Sequence, residues 1–183
     1  MGRRRMKRYA TIVADPPWHY DVASISMGNP DGATKHGTRP LPYDTMTVEQ
    51  IAELPLQDIA AADAHLYLWT TQRYLPAAFG IIEKWEFKYS STLVWCKPPR
   101  GFVGTYPCST EFVLFARRGS LPAKQKGPRN WWEWSRGAHS AKPEAFMDIV
   151  ESVSPGPYLE MFSRRARFGW DTWGNESLEG GVA

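Results

Sequence analysis

The chain has 183 residues, of which 43% are hydrophobic and 22% charged, and its formal net charge is +3. This length predicts one compact domain with a single core, and the composition excludes an intrinsically disordered chain. No apolar run reaches the length of a membrane-spanning helix, and no apolar segment follows the basic start as in a secretory signal, so we expect a cytoplasmic protein.

Apolar strand-like runs alternate with helical patterns along the chain, which predicts an α/β fold with a mostly parallel sheet flanked by helices. The single domain covers residues 1–183, with a basic tail over 1–8 and a C-terminal tail over 177–183. In chain order we expect strands over Tyr9–Ala14, Ala64–Trp69, Tyr89–Cys96, Glu111–Ala116 and Tyr158–Phe162, and helices from Thr47, from about Tyr74 and from Pro143.

Particular residues set the boundaries of these elements. Thr47 and Gln50 form a capping-box pair at a helix start, and Pro55 breaks or restarts that helix. Two stretches without a clean hydrophobic period are predicted to be loops: residues 22–42, rich in Gly, Pro, Ser and Asn, and Arg117–Ala141.

The two cysteines and four histidines lack zinc-ligand spacing, so we expect free thiols and no metal.

The sharpest motif is Asp15-Pro16-Pro17-Trp18, directly after the first predicted strand. Ligands of α/β sheets bind beyond the carboxyl ends of the strands. The Asp15 carboxylate and a backbone carbonyl held by a proline ring can accept the two hydrogens of an exocyclic amine such as N6 of adenine. Trp18 can stack on the base. The alternative is an ordinary Asp-Pro turn with a buried tryptophan.

This motif and several further segments resemble the MT-A70 family of adenine-N6 methyltransferases. The similarity runs from about Tyr9 to Glu176, nearly the whole chain. The further matching segments are Leu41–Met46, Leu66–Trp69, Leu93–Lys97, His139–Pro143, Tyr158–Arg164 and Trp173–Glu176.

The resemblance implies a Rossmann-like methyltransferase fold with permuted motif order, in which the catalytic motif precedes part of the cofactor site. It implies S-adenosylmethionine as cofactor. Lys142 would approach the methionine carboxylate of the cofactor, Asp15 its amino group, and Phe162 would lie against it. Tyr43 would reach the substrate adenine or the methionine end. The residues implied to line the ribose are Arg164, Asn175 and Glu176.

Basic and aromatic residues interleave over residues 124–136. Lysine and arginine side chains there can hold phosphates, and tryptophan rings can stack on a base. The alternative is a surface loop anchored by its tryptophans, and both interpretations stay open. The candidate substrate residues are Lys124, Lys126, Arg129, Trp131 and Trp132, with Trp134 as a further candidate ring and a weaker cluster at Lys35, His36 and Arg39.

The resemblance implies a nucleic acid substrate, and we expect DNA and an enzyme of bacterial or phage type, because RNA-directed eukaryotic members tend to carry extra domains. The alternatives are methylation of RNA and a catalytically inactive nucleic-acid-binding subunit. Intact Asp15, Lys142 and Asn175 argue against an inactive subunit. Family members often pair, so a homodimer or a heterodimer is a further expectation.

Overall fold

The structure is a computed structural model, and it describes residues 7–20, 44–98, 105–135, 142–163 and 165–174. Within these residues it contains seven strands in one sheet and four helices. The strands are β1 Tyr9–Ala14, β2 Ala60–Thr70, β3 Lys88–Cys96, β4 Thr110–Arg118, β5 Trp131–Glu133, β6 Tyr158–Met161 and β7 Trp170–Trp173. The helices are α1 Val48–Ala52, α2 Leu56–Ile59, α3 Leu75–Lys84 and α4 Glu144–Val153.

The sheet has the strand order β5-β3-β4-β2-β1-β6-β7. β1 is parallel to β2 and β6, β6 to β7, and β3 to β5, whereas β4 is antiparallel to β2 and β3. The predicted α/β fold with a mostly parallel sheet is therefore confirmed. The carboxyl ends of the parallel strands and the amino end of β4 meet at one edge, which we call the carboxyl edge. The strand order switches between β1 and β6, where ligands of such sheets bind.

Helices cover both faces of the sheet, which explains why the central strands read as continuous apolar runs. In β1, Ile12 packs towards α1, α2 and α3, while Val13 packs towards α4. The same alternation in β2 buries Leu68 on one face and Trp69 on the other. No helix in the described ranges is long and apolar enough to cross a membrane.

The predicted helix starts agree with the structure. Thr47 caps α1: its Oγ1 accepts a hydrogen bond from the Gln50 amide at 3.2 Å, and its own amide donates to Gln50 Oε1 at 2.8 Å. Pro55 separates α1 from α2 as expected, because a proline cannot donate within a helix. The five predicted strands all exist: β1 has the predicted bounds, and the other four differ from the prediction at one or both ends by a few residues.

Two strands were not predicted. β5 lies inside the predicted loop Arg117–Ala141 and consists of only three residues, which form a strand because they pair with β3. β7 has four residues and pairs with β6. Segments this short do not show a hydrophobic period, so whether they form strands depends on pairing with a neighbouring strand. The predicted loop over residues 22–42 lies outside the described residues.

A buried hydrogen-bonded chain joins β2 to the end of α4. His65 Nε2 lies 3.1 Å from the Leu121 carbonyl, which can only accept, so this nitrogen carries the proton. Nδ1 then accepts from Ser154 Oγ at 2.8 Å, and Ser154 in turn accepts from Tyr67 OH at 2.8 Å. Burial lowers the pKa of His65 and the nearby Arg117 charge lowers it further, against the Leu121 hydrogen bond, so His65 is neutral in the folded protein.

We expect this histidine to make the fold sensitive to acid. Because its folded pKa lies below its unfolded value of about 6.5, the unfolded chain binds more protons between the two values. The free energy of unfolding should therefore fall as pH drops below about 6.5 and stay constant above this pH. Urea unfolding of the wild type and His65→Gln across this window tests the prediction. Equal pH slopes for the two proteins would contradict it.

Candidate active site

Four charged side chains from different parts of the sequence meet at the carboxyl edge. Lys142 Nζ lies 2.8 Å from Asp15 Oδ2 and 3.3 Å from Glu111 Oε2. The other oxygen of Glu111 accepts a hydrogen bond from Lys97. Asp15 follows β1, Lys97 follows β3, Glu111 is near the start of β4, and Lys142 precedes α4. The fold thus builds a row of alternating charges beside the switch point.

These charges are partly shielded from solvent and stabilise one another. The side chains of Asp15, Lys142 and Glu111 are 32%, 20% and 19% exposed. Burial alone lowers the pKa of Lys142, but the carboxylates of Asp15 and Glu111 outweigh it and raise the pKa above its usual value. Burial likewise raises the pKa of Glu111, and Lys142 and Lys97 reverse this to a net lowering. Lys142 and Glu111 are therefore charged at neutral pH.

The turn after β1 is fixed by its backbone. The Asp15 amide donates to the Met161 carbonyl of β6 at 3.4 Å. The Pro16 carbonyl accepts from the Trp18 amide at 2.9 Å, and the Pro17 carbonyl accepts from the Met46 amide at 2.8 Å. A carbonyl oxygen has two lone pairs, so both proline carbonyls keep an acceptor site.

Trp18 lies beneath this turn, in the core. Its side chain is 5% exposed, and its indole nitrogen donates to the Trp69 carbonyl at 3.2 Å. The ring stacks on Tyr74 with centroids 4.9 Å apart. This is the buried tryptophan of the alternative interpretation, and stacking on a substrate base would require the ring to leave this packing.

The carboxyl ends of β6 and β7 come close to each other at the far side of the switch point. Phe162 has a φ of 65°, and its amide donates to the Trp173 carbonyl at 2.5 Å. Gly174 has a φ of 143°, and a Cβ there would lie 2.8 Å from the Phe162 Cα, so the position requires glycine. Glu160 of β6 accepts from Ser163 Oγ at 3.0 Å, and burial raises the pKa of its carboxyl.

Other predicted site residues lie outside the described residues, and their roles stay predictions. They are Tyr43, Arg164, Asn175, Glu176 and the weaker cluster Lys35, His36 and Arg39.

The basic and aromatic stretch divides into anchoring and exposed residues. Lys124 binds the end of α4: its Nζ donates to the Glu151 carbonyl and its amide to the Val153 carbonyl, both at 2.7 Å. Trp132 is 8% exposed and stacks on Trp134 with centroids 5.4 Å apart. These three residues match the anchored-loop interpretation.

Lys126, Arg129 and Trp131 face solvent instead. Trp131 is 49% exposed, and the Arg129 guanidinium lies 5.5 Å from the centre of its ring. This part of the stretch keeps the charge and the aromatic surface that contact with a nucleic acid needs.

Glu111 and Lys97 were not among the predicted site residues. The signal for Glu111 was present, because it is a charged residue in an otherwise apolar strand, where an unpaired charge is costly. Its partner Lys142 belongs to a distant segment, and the pairing follows from the antiparallel course of β4, which brings its amino end to the carboxyl edge.

The charges at this edge fit the methionine part of S-adenosylmethionine, the cofactor that the resemblance implies. Lys142 can bind a carboxylate, and Asp15 can bind an amino group. Both lie beside the β1–β6 switch point, and Phe162 and Gly174 follow the carboxyl ends of β6 and β7 at the same edge of the sheet.

Comparison with known proteins agrees with the family resemblance. The family model described as MT-A70 matches residues 9–176. The Type II methyltransferase M.MunI from a Mycoplasma species is 32% identical over 93% of this chain and 78% of its own length. The mouse N(6)-adenine-specific methyltransferase METTL4 is 24% identical over 94% of this chain and 38% of its own.

A third relative is the N6-methyladenosine RNA methyltransferase MTA1 of Cryphonectria parasitica, which is 27% identical. The match covers 92% of this chain and 51% of MTA1, so the chain spans well under two thirds of both METTL4 and MTA1. The family match extends over nearly all of the described residues, including every strand and the charged row at the carboxyl edge. This chain therefore belongs to the MT-A70 family of methyltransferases.

Proposed function

We propose that this protein is an S-adenosylmethionine-dependent methyltransferase that methylates the N6 amine of adenine in DNA. The observation that carries the proposal is the position of Asp15. Asp15 follows the last residue of β1 at the switch point, in a turn fixed by Pro16 and Pro17. Its Oδ2 lies 2.8 Å from Lys142 Nζ. Family membership and the names of the relatives support the same chemistry.

We propose different tasks for the two oxygens of Asp15. Lys142 binds Oδ2, and Oδ1 makes no hydrogen bond within the described part of the chain, so Oδ1 is the acceptor offered to one N6 hydrogen. A carbonyl of Pro16 or Pro17 accepts the other hydrogen through its second lone pair. Two acceptors draw the amine out of conjugation with the ring, and its lone pair becomes nucleophilic. After the nitrogen is methylated, the carboxylate of Asp15 takes its surplus proton.

S-adenosylmethionine, when bound, supplies an electrophilic methyl group on its sulfonium. Lys142 would hold the methionine carboxylate, and Phe162 would lie against the cofactor. Arg164, Asn175 and Glu176 are proposed to bind the ribose. The protein thus contributes orientation and electrostatics, which together can lower a barrier by many kcal/mol.

DNA is the proposed substrate because this chain is more similar to M.MunI, a Type II methyltransferase, than to MTA1, whose name specifies RNA. The test is the rate of methyl transfer to single- and double-stranded DNA and to single- and double-stranded RNA of matched sequence. We expect transfer to DNA. Methyl transfer to RNA alone would show that RNA, not DNA, is the substrate. Transfer to neither DNA nor RNA would favour an inactive nucleic-acid-binding subunit. The cytoplasmic location and a dimer stay predictions.

The exposed cations of the loop should control how binding to DNA depends on salt. Replacing Lys126 and Arg129 with alanine should flatten the slope of log K against log salt by about 0.9 per contact on duplex DNA, or about 0.7 on a single strand. Lys124→Ala serves as the matched control. Because Lys124 binds the end of α4, its loss should lower Tm by about 1–4 °C and leave the slope unchanged. An unchanged slope in the double variant would contradict this role.

The two tryptophans of β5 should behave differently from each other. Trp131→Ala removes an exposed ring, and we expect affinity for DNA to fall by about 1–3 kcal/mol with little change in Tm. Trp132→Ala removes a buried ring, and we expect the free energy of unfolding to fall by about 3–5 kcal/mol. Fluorescence anisotropy and thermal unfolding measure the two effects. A Trp131→Ala variant with unchanged affinity would show that this ring does not contact DNA.

A further inference from the structure

Three aromatic rings lead from the core to the surface beside the catalytic turn. Trp18 is buried and stacks on Tyr74, with 17° between the ring planes. Tyr74 meets Tyr20 edge to face, with centroids 5.2 Å apart. Trp18 is buried, whereas Tyr74 and Tyr20 are both half-buried, and Tyr20 is the one whose hydroxyl is fixed at the end of β2. Trp18 supports the other two rings from the core, and part of the Tyr20 side chain is accessible to solvent.

Tyr20 is held at the carboxyl end of β2. Its hydroxyl lies 2.6 Å from Thr71 Oγ1, and Thr71 directly follows the carboxyl end of β2. β2 lies beside β1, and the register that pairs Ala14 with Leu68 puts Asp15 within a few residues of Thr71 across the strand pair. Tyr20 and Asp15 therefore border the same part of the carboxyl edge.

The electrostatic surroundings of Tyr20 agree with this position. Burial raises the pKa of its phenol, the Thr71 hydrogen bond lowers it, and the charges of Glu111 and Lys142 act on it in opposite directions. The net shift is upwards, so the phenol is neutral at physiological pH and the ring is an uncharged surface.

An arginine lies at the rim of this aromatic surface. The Arg73 guanidinium is 6.0 Å from the centre of the Tyr20 ring and 5.8 Å from that of Tyr74. Arg73 is exposed and belongs to the turn between β2 and α3. An aromatic ring for a base with a guanidinium for the adjoining phosphate is the combination by which proteins hold an unstacked nucleotide.

We propose that Tyr20 and Arg73 form a clamp for the target nucleotide, in which the Tyr20 ring contacts the adenine in front of Asp15 and Arg73 binds its phosphate. The clamp rests on the proposed function. It gives the task first expected of Trp18 to a residue that reaches solvent, and it makes Trp18 a positioning residue that acts through Tyr74.

The test compares two oligonucleotides in the presence of S-adenosylhomocysteine: one that the wild-type protein methylates, and the same one with an abasic residue at the target adenine. Tyr20→Ala should weaken binding of the first by between about fivefold and about 150-fold, the range for a lost base–aromatic stack. It should leave binding of the abasic oligonucleotide unchanged. Tyr20→Phe keeps the ring and should retain the wild-type preference. Tyr20→Leu replaces the alanine variant if that variant does not fold.

Arg73→Gln should weaken binding of both oligonucleotides equally. It should also flatten the slope of log K against log salt by about 0.7 to 0.9. Tyr89→Ala and Arg117→Gln are the matched controls, because Tyr89 is 42% exposed on β3 and Arg117 is exposed on β4 near the opposite edge of the sheet. Neither should alter the preference for adenine. The clamp would be overturned if Tyr20→Ala lost equal affinity for the two oligonucleotides or lost none. Methylation by the wild-type protein would still uphold the proposed function in that case. A wild-type protein that methylates no nucleic acid would overturn the function itself.

Discussion

Asp15→Asn will reduce methyl transfer to a small residual rate and leave the fold intact. Asparagine has the same size but carries no charge, and its amide cannot take a proton from the methylated nitrogen. Loss of a positioned proton acceptor slows a reaction by about 10²–10⁴-fold. Single-turnover methylation at saturating S-adenosylmethionine measures this effect directly.

Asp171→Asn is the control for this experiment. Asp171 accepts a hydrogen bond from Tyr9 at 2.6 Å and pairs with Lys7 at 2.6 Å, and it belongs to β7 rather than to the catalytic turn. This variant should keep the wild-type rate. A folded Asp15→Asn protein that methylates within about tenfold of the wild type would contradict the assignment, since a positioned acid or base contributes more than that.

Lys142→Met will weaken binding of S-adenosylmethionine by about 1–3 kcal/mol, the usual cost of losing a hydrogen bond to a charged group. It also leaves Asp15 and Glu111 without the cation between them, and the pKa of Glu111 should rise towards its usual range because Lys142 is the largest influence that lowers it. Calorimetric titration with the cofactor measures the affinity. Asn175→Ala should weaken it by a similar amount through the ribose.

Lys124→Met is the matched control for this lysine, because Lys124 contacts the end of α4 rather than the charged row. Lys142→Arg keeps the charge and should recover part of the lost affinity. Unchanged affinity in both Lys142→Met and Asn175→Ala would remove the proposed cofactor site.

The sequence predicted the central part of the fold well because local signals there were strong. Apolar runs bounded by prolines defined β1 and the turn at Asp15, and the capping box defined the start of α1. β5 and β7 were missed because each has only three or four residues and exists through pairing with a neighbour. No local pattern encodes such pairing.

The candidate site was predictable in part for the same reason. The resemblance indicated Asp15 and Lys142, which lie 127 residues apart and meet at 2.8 Å. Glu111 joins them only because β4 runs antiparallel to its neighbours, which a list of strands does not reveal. Trp18 was expected to face the substrate, and the sequence could not show that Tyr74 covers its ring.

The most direct test of the account is the position of the transferred methyl group. The wild-type protein is incubated with S-adenosylmethionine that carries a labelled methyl group and with double-stranded DNA, and the product is digested to nucleosides and separated by mass. We expect the label on N6 of deoxyadenosine in the wild type and a strongly reduced amount of it in Asp15→Asn. Label on another atom or another base, or equal labelling by Asp15→Asn, would contradict the account.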